Sequence, residues 1–68
     1  MSVYRVTDII GSSKTSWEDA AKQALAAASE SLRDLRVAEV VAQDIALNAK
    51  GQIEAYRTKL RVSFKYEQ

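Results

Sequence analysis

From Tyr56 to Tyr66 the chain alternates without a slip. Tyr56, Thr58, Leu60, Val62, Phe64 and Tyr66 fall on one side, and Arg57, Lys59, Arg61, Ser63 and Lys65 on the other. A period of two sustained over that length specifies a strand with two chemically opposite faces. The apolar face has to be covered. The basic face has three destinations: water, carboxylates on neighbouring strands or subunits (Glu39 foremost), or an anionic ligand.

The 68 residues make a single domain, 1–68. A chain of this size buries only about 60% of the surface it exposes when unfolded. It has no Cys and no His, so neither a disulfide nor a zinc staple is available. Self-association is then the expected source of extra stability. Ten Lys/Arg against nine Asp/Glu leave the chain near neutrality, which argues against nucleic acid as a partner. No apolar run approaches the roughly 20 residues of a membrane span, and no apolar leader precedes the first strand. A cytoplasmic, membrane-free protein is expected.

Val3–Ile10 reads as a strand ended by Gly11-Ser12-Ser13. Ser16 is a good helix N-cap, with Asp19 as the acidic half of a capping box and Glu18 beside it favouring the positive helix end. Six alanines between Ala20 and Ala28 raise helix propensity. The apolar stripe (Trp17, Ala20, Ala21, Ala24, Leu25, Ala28, Leu32, Leu35) is mostly alanine, which suits a close approach to a sheet. The helix is expected to end near Asp34. Val37–Leu47 is a second strand, with Val37, Glu39, Val41, Gln43, Ile45 and Leu47 on one face and Ala38, Val40, Ala42, Asp44 and Ala46 on the other. Asn48-Ala49-Lys50-Gly51 is a hairpin turn, and the third strand starts near Gln52.

The class is therefore α+β with order β-α-β-β. A right-handed crossover makes the first two strands parallel, and the hairpin sets the third antiparallel to the second. The simplest sheet has order 1-3-2, with the helix on one face. Strands of about eleven residues reach roughly 37 Å, while a helix of about nineteen spans roughly 28 Å. The surplus sheet must curl around the helix or be covered by another copy of the chain.

Catalysis is not expected. The usual acid–base and thiol groups are missing, and the serines lie in a turn or on the helix. Gly11-Ser12-Ser13 reads as a capped strand–helix turn before it reads as an anion cradle. Trp17 heads the apolar stripe and reads as a core or interface anchor before a ligand-stacking ring. Asp8, Glu39, Asp44 and Glu54 are the strand carboxylates. One alone is a poor metal site, but symmetry multiplies it, which suits calcium or magnesium.

Ile9-Ile10-Gly11-Ser12-Ser13 before the helix, Ala38-Glu39-Val40-Val41 in the second strand and Val62-Ser63-Phe64 near the end, in a β-α-β-β chain of this length, resemble the dodecin family. The resemblance runs from Tyr4 to Lys65. It implies a three-stranded antiparallel sheet partly wrapped around one helix, assembled as a dodecamer in a hollow sphere. It also implies a flavin-binding role, with a tryptophan that stacks on the flavin and a glutamine that bonds the ring edge. Those two positions are Val37 and Arg57 here, so ordinary flavin stacking is expected to be weakened. Ser2-Val3-Tyr4, Asp8-Ile9-Ile10-Gly11, Thr15-Ser16-Trp17-Glu18, Arg36-Val37-Ala38 and Gln43-Asp44 are similar to the branch that lacks this tryptophan and is associated with calcium. Asp44 and Glu18, as available carboxylates, are the candidate ion ligands. The expected function is a non-catalytic cage that binds or stores small ligands. A flavin-sequestering cage with an adapted pocket and a purely structural oligomer are the alternatives.

Overall fold

The structure, a computed structural model, describes residues 2–65. Four elements follow one another: β1 (Tyr4–Ser13), α1 (Trp17–Ser31), β2 (Leu35–Leu47) and β3 (Ile53–Lys65). The sheet order is β1-β3-β2, and β3 pairs antiparallel with both neighbours. This is the expected topology. Tyr66, which the alternation assigns to the apolar face, lies outside the described residues.

The alternation of β3 is realised as the sequence requires. Thr58, Leu60 and Val62 are buried beneath α1, while Arg57 and Arg61 are exposed on the opposite, open face. Leu60, Val62 and Ala24 form the core, with Ile9, Ala21, Leu25, Leu32 and Leu35 packed around it. The alanine stripe sets how closely helix and sheet approach. Ala20, Ala24 and Ala28 are buried, and β1 passes α1 so closely that a Cβ on Gly11 would collide with the Ala20 carbonyl and meet the Ala24 methyl at 2.8 Å.

Two boundaries differ from expectation. β1 does not end at Ile10. It continues to Ser13, because Gly11 lets the backbone slide under the helix while the pairs Gly11↔Thr58, Ser12↔Arg57 and Ser13↔Tyr56 extend the ladder. Gly11-Ser12-Ser13 is therefore strand, not turn. The helix stops at Ser31, short of Asp34. Its last turn carries no basic residue, Leu32 is already extended, and Leu32 and Leu35 turn down onto the core. Asp34 takes a positive φ of 58°, and its carbonyl accepts from the Lys65 N–H, so the chain enters β2.

The hairpin turn forms where expected. The Asn48 carbonyl accepts from the Gly51 N–H, the Asn48 side-chain oxygen accepts from the N–H groups of Lys50 and Gln52, and Gly51 supplies the positive φ of 76°.

Strand β2 departs from strict alternation. Arg36 and Val41 are extra residues in its ladder with β3, since Val40 pairs with Leu60 and Ala42 with Lys59. Such a bulge reverses the faces beyond it. Glu39 and Asp44, which alternation places on opposite faces, pair with Arg61 and Arg57 and so share the open face.

α1 spans roughly 22 Å. The two long strands have 13 residues each, and the molecule is 51 Å long. The helix packs on β1 and β3 and leaves β2 beside it. No residue of β2 is buried, and Val40 and Ile45, on the helix side of the sheet, are 55% and 40% exposed. Gly11→Ala should destabilise the fold by about 1–3 kcal/mol, because the new methyl meets backbone that has little room to yield. Urea denaturation should show a lower midpoint, and an unchanged midpoint would refute the close approach.

Candidate functional site

The open face of the sheet gathers the charges. The bulge at Val41 turns Asp44 toward Arg57, whose Nε and Nη2 donate to Asp44 Oδ1 and Oδ2 at 2.7 Å each. On the other side of β3 the register sets Asp8 against Arg61. There Nε and Nη2 donate to Oδ1 and Oδ2 at 2.9 and 3.1 Å, and Lys59 Nζ approaches the same carboxylate at 3.9 Å. Glu39 on β2 is the register partner of Arg61 and adds longer-range attraction. Of the three destinations open to the basic face, Arg57, Lys59 and Arg61 therefore meet carboxylates of their own chain. Glu39 proves secondary to Asp8 and Asp44.

These fork-to-fork bonds hold the charged forms in place. The Arg57 guanidinium keeps the Asp44 carboxyl below its usual range. The bonds from Arg61, with the nearby charges of Arg61 and Lys59, do the same for Asp8, against a smaller opposing effect of desolvation. Arg57 and Arg61 are held above their ordinary value by the same bonds.

A second polar cluster ties β1 to the helix. Buried Ser13 donates its hydroxyl to Asp19 Oδ2 at 2.6 Å and accepts from the Thr15 N–H. The Asp19 N–H bonds Ser16 Oγ, as a helix cap requires, but the Asp19 carboxylate turns to Ser13 and Gln23 instead of closing a capping box. Those two bonds lower the Asp19 pKa. An open cleft of about 380 Å³ lies beside this cluster, lined by Ser12, Ser13, Lys14, Gln23, Glu54 and Ala55.

Trp17 is the anchor expected of it. Its ring stands edge-on to Tyr56 at 5.3 Å, its Nε1–H donates to the Asp44 carbonyl at 3.0 Å, and its own carbonyl accepts from Thr58 Oγ1. The bond to Asp44 links the start of α1 to β2.

The sequence candidates are only partly brought together. Val37 pairs with Ser63, so Val37, Arg57 and Asp44 share the open face. Ser63 and Arg57 are six residue steps apart on β3, or roughly 20 Å along the strand. Val37 and Arg57 of one chain therefore cannot touch the same small ligand. Glu18 is exposed in the first turn of α1, on the other side of the sheet. No group of three or more Asp, Glu, His or Cys that could hold a metal forms among the described residues. Asp8 was legible as a strand carboxylate, but its partners Arg61 and Lys59 emerge only from the register.

Comparison with known proteins gives a consistent picture. Residues 3–67 match the family model described as Dodecin. The chain is 57% identical over 65 residues to calcium dodecin of Mycobacterium tuberculosis, covering 96% of this chain and 90% of the relative. Among solved structures it is similar to a calcium-chelating calcium dodecin from M. tuberculosis, described as having a novel calcium-binding site. That match has a TM-score of 0.84 and 54% identity, over 96% of this chain and 91% of the other. It is also similar to dodecin from Streptomyces davaonensis, with a TM-score of 0.89 and 34% identity over 98% and 97% of the two chains.

Asp8, Asp19 and Asp44 have folded pKa values below the ordinary 3.8. Their contribution is thus present above the unfolded pKa and is lost as pH falls through the lower folded values, below about pH 4. Stability measured by urea from pH 7 down to about pH 2 should fall more steeply below pH 4 in the wild type than in an Asp8→Asn, Asp44→Asn double variant. Parallel curves would mean that the two ion pairs do not persist in solution.

Proposed function

From the premise that this chain belongs to the dodecin family, we propose that it is a non-catalytic, cage-forming protein that binds and stores divalent cations, calcium foremost, as a dodecamer. The observation that carries this reading is that no residue of strand β2 is fully buried, with Val40 and Ile45 exposed beside a helix too short to cover them. A second copy of the chain is the natural cover for such a face, and closed symmetric assembly supplies one to every subunit.

Assembly also addresses the ligand problem. Val37 and Arg57 lie too far apart along one chain to cooperate, so a site using both has to be shared between copies. A hard cation takes six to eight oxygen ligands, roughly. No one chain gathers three suitable side chains among its described residues, whereas symmetry-related copies multiply each carboxylate. Asp44 and Glu18 are the donors we assign to the cation. The 57% identity to calcium dodecin supports the choice of calcium. The absence of His and Cys from the whole sequence supports a binding role over an enzymatic one.

Flavin binding is secondary in this reading. Val37 offers no ring to stack on, and Arg57 is engaged by Asp44. Native mass spectrometry of the purified protein should show a twelve-chain mass carrying calcium that a chelator removes. A monomer or dimer, or a cage that takes up no calcium at millimolar concentration, would sink the proposal. Val37→Trp should strengthen FMN fluorescence quenching about ten-fold or more, since aromatic stacking is worth roughly 1–3 kcal/mol. Equal quenching by both proteins would show that position 37 does not meet the ring.

A further inference from the structure

By register, Ala38, Val40, Gln43 and Ile45 share the helix side of the sheet with Val62, Leu60, Thr58 and Tyr56. The uncovered stretch of β2 therefore runs on to the aromatic pair at its side. Trp17 stands against Tyr56, and its Nε1–H reaches the Asp44 carbonyl on β2. We infer that Val40, Ile45, Tyr56 and Trp17 form one contact surface for a second copy of this chain, with the Trp17 indole as its anchor. This inference rests on the assembly proposed above and names the surface that makes it.

The exposed area says that a copy is missing. The chain exposes 5198 Å², where a compact monomer of this mass exposes roughly 4,200 Å². The excess is close to the roughly 800 Å² that each partner buries in an interface of standard size. The radius of gyration agrees: it is 13.9 Å, against roughly 11 Å for a compact chain of this length. The chemistry says where the copy sits. Ala38, Val40, Gln43 and Ile45 carry no charge, whereas the open face carries Glu39, Asp44, Arg57 and Arg61. Interface cores are poor in charge and rich in aromatic rings. Trp17 is also prepared for burial. Its Nε1–H is taken by the Asp44 carbonyl and its own carbonyl by Thr58 Oγ1, so covering the ring strands neither of these polar groups. β2 lies at the edge of the sheet, but register shifts at Arg36, at Val41 and between Ala46 and Leu47 break the regularity of its ladder. Bulges of this kind blunt an edge against pairing. The second copy therefore meets the face through side chains and does not add a strand to the edge.

Trp17 is the only tryptophan in the chain, so its emission reports on this surface directly. A single chain leaves it partly exposed. In the assembled wild type, acrylamide should quench it several-fold less than a free tryptophan analogue. Ile45→Asp should weaken assembly roughly ten-fold or more by analytical ultracentrifugation, since a buried isoleucine is worth at least that factor. Its dissociated chains, checked for folding by circular dichroism, should regain quenching. Ile45→Leu keeps volume and polarity and should assemble as the wild type does. An assembled wild type quenched as freely as the analogue, or an Ile45→Asp protein that assembles as tightly as wild type, would overturn this surface while leaving assembly in place. If Ile45→Asp does not fold, the quenching of the wild type decides alone. A monomeric wild type would remove the assembly reading itself and this inference with it.

Discussion

One helix of fifteen residues has to cover a sheet whose two longest strands have thirteen each. Nearly every feature of the molecule follows from that mismatch. A helix rises 1.5 Å per residue and a strand more than twice as much, so the helix spans roughly half the sheet. It settles over β1 and β3, where alanines on its underside and Gly11 in β1 allow close contact. The core is accordingly small, built on Ala24, Leu60 and Val62. Apart from Leu35 at its start, which packs on the core, β2 is little covered by its own chain, and its exposed valines and isoleucine are a demand that another copy can meet.

The opposite face solves a different problem. Four basic residues on one strand face would repel one another, and the sheet answers with carboxylates from both neighbours. Asp8 comes from β1 by simple register. Asp44 comes from β2 only because Val41 is inserted into the ladder. The bulge thus decides the electrostatics of the face as well as its shape. Without it, Asp44 would point to the helix side and Arg57 would be left without its bidentate partner.

These two features meet at Asp44. Its carbonyl receives the Trp17 indole, tying the uncovered strand to the helix, and its carboxylate is the partner of Arg57. In the assembly proposed above, a neighbouring copy would cover the exposed side chains of β2 and bring together positions that lie far apart in one chain.

Much of the fold was legible in the sequence because periodicity and propensity act locally. The eleven-residue alternation ending at Tyr66 identified the central strand and its two faces. The alanine stripe identified a helix that approaches its sheet closely, and Asn48 and Gly51 marked the hairpin. Order 1-3-2 was the simplest sheet compatible with the crossover and the hairpin, and the strict alternation and length of the third strand suited the central place. The candidate site was less legible. Val37, Arg57, Asp44 and Glu18 could be named, but not that Arg57 binds Asp44, nor that Asp8 rather than Glu39 holds Arg61. Those facts depend on strand register and on a bulge with no local signature, since Val40 and Val41 suit a regular strand as well as a bulged one. The end of the helix was also set from outside, by Leu32 and Leu35 descending to the core and by Asp34 bonding the far end of β3. Local patterns report what each segment prefers by itself. Which charge meets which, and where a strand slips by one residue, is decided only when segments distant in the chain compete for the same partners.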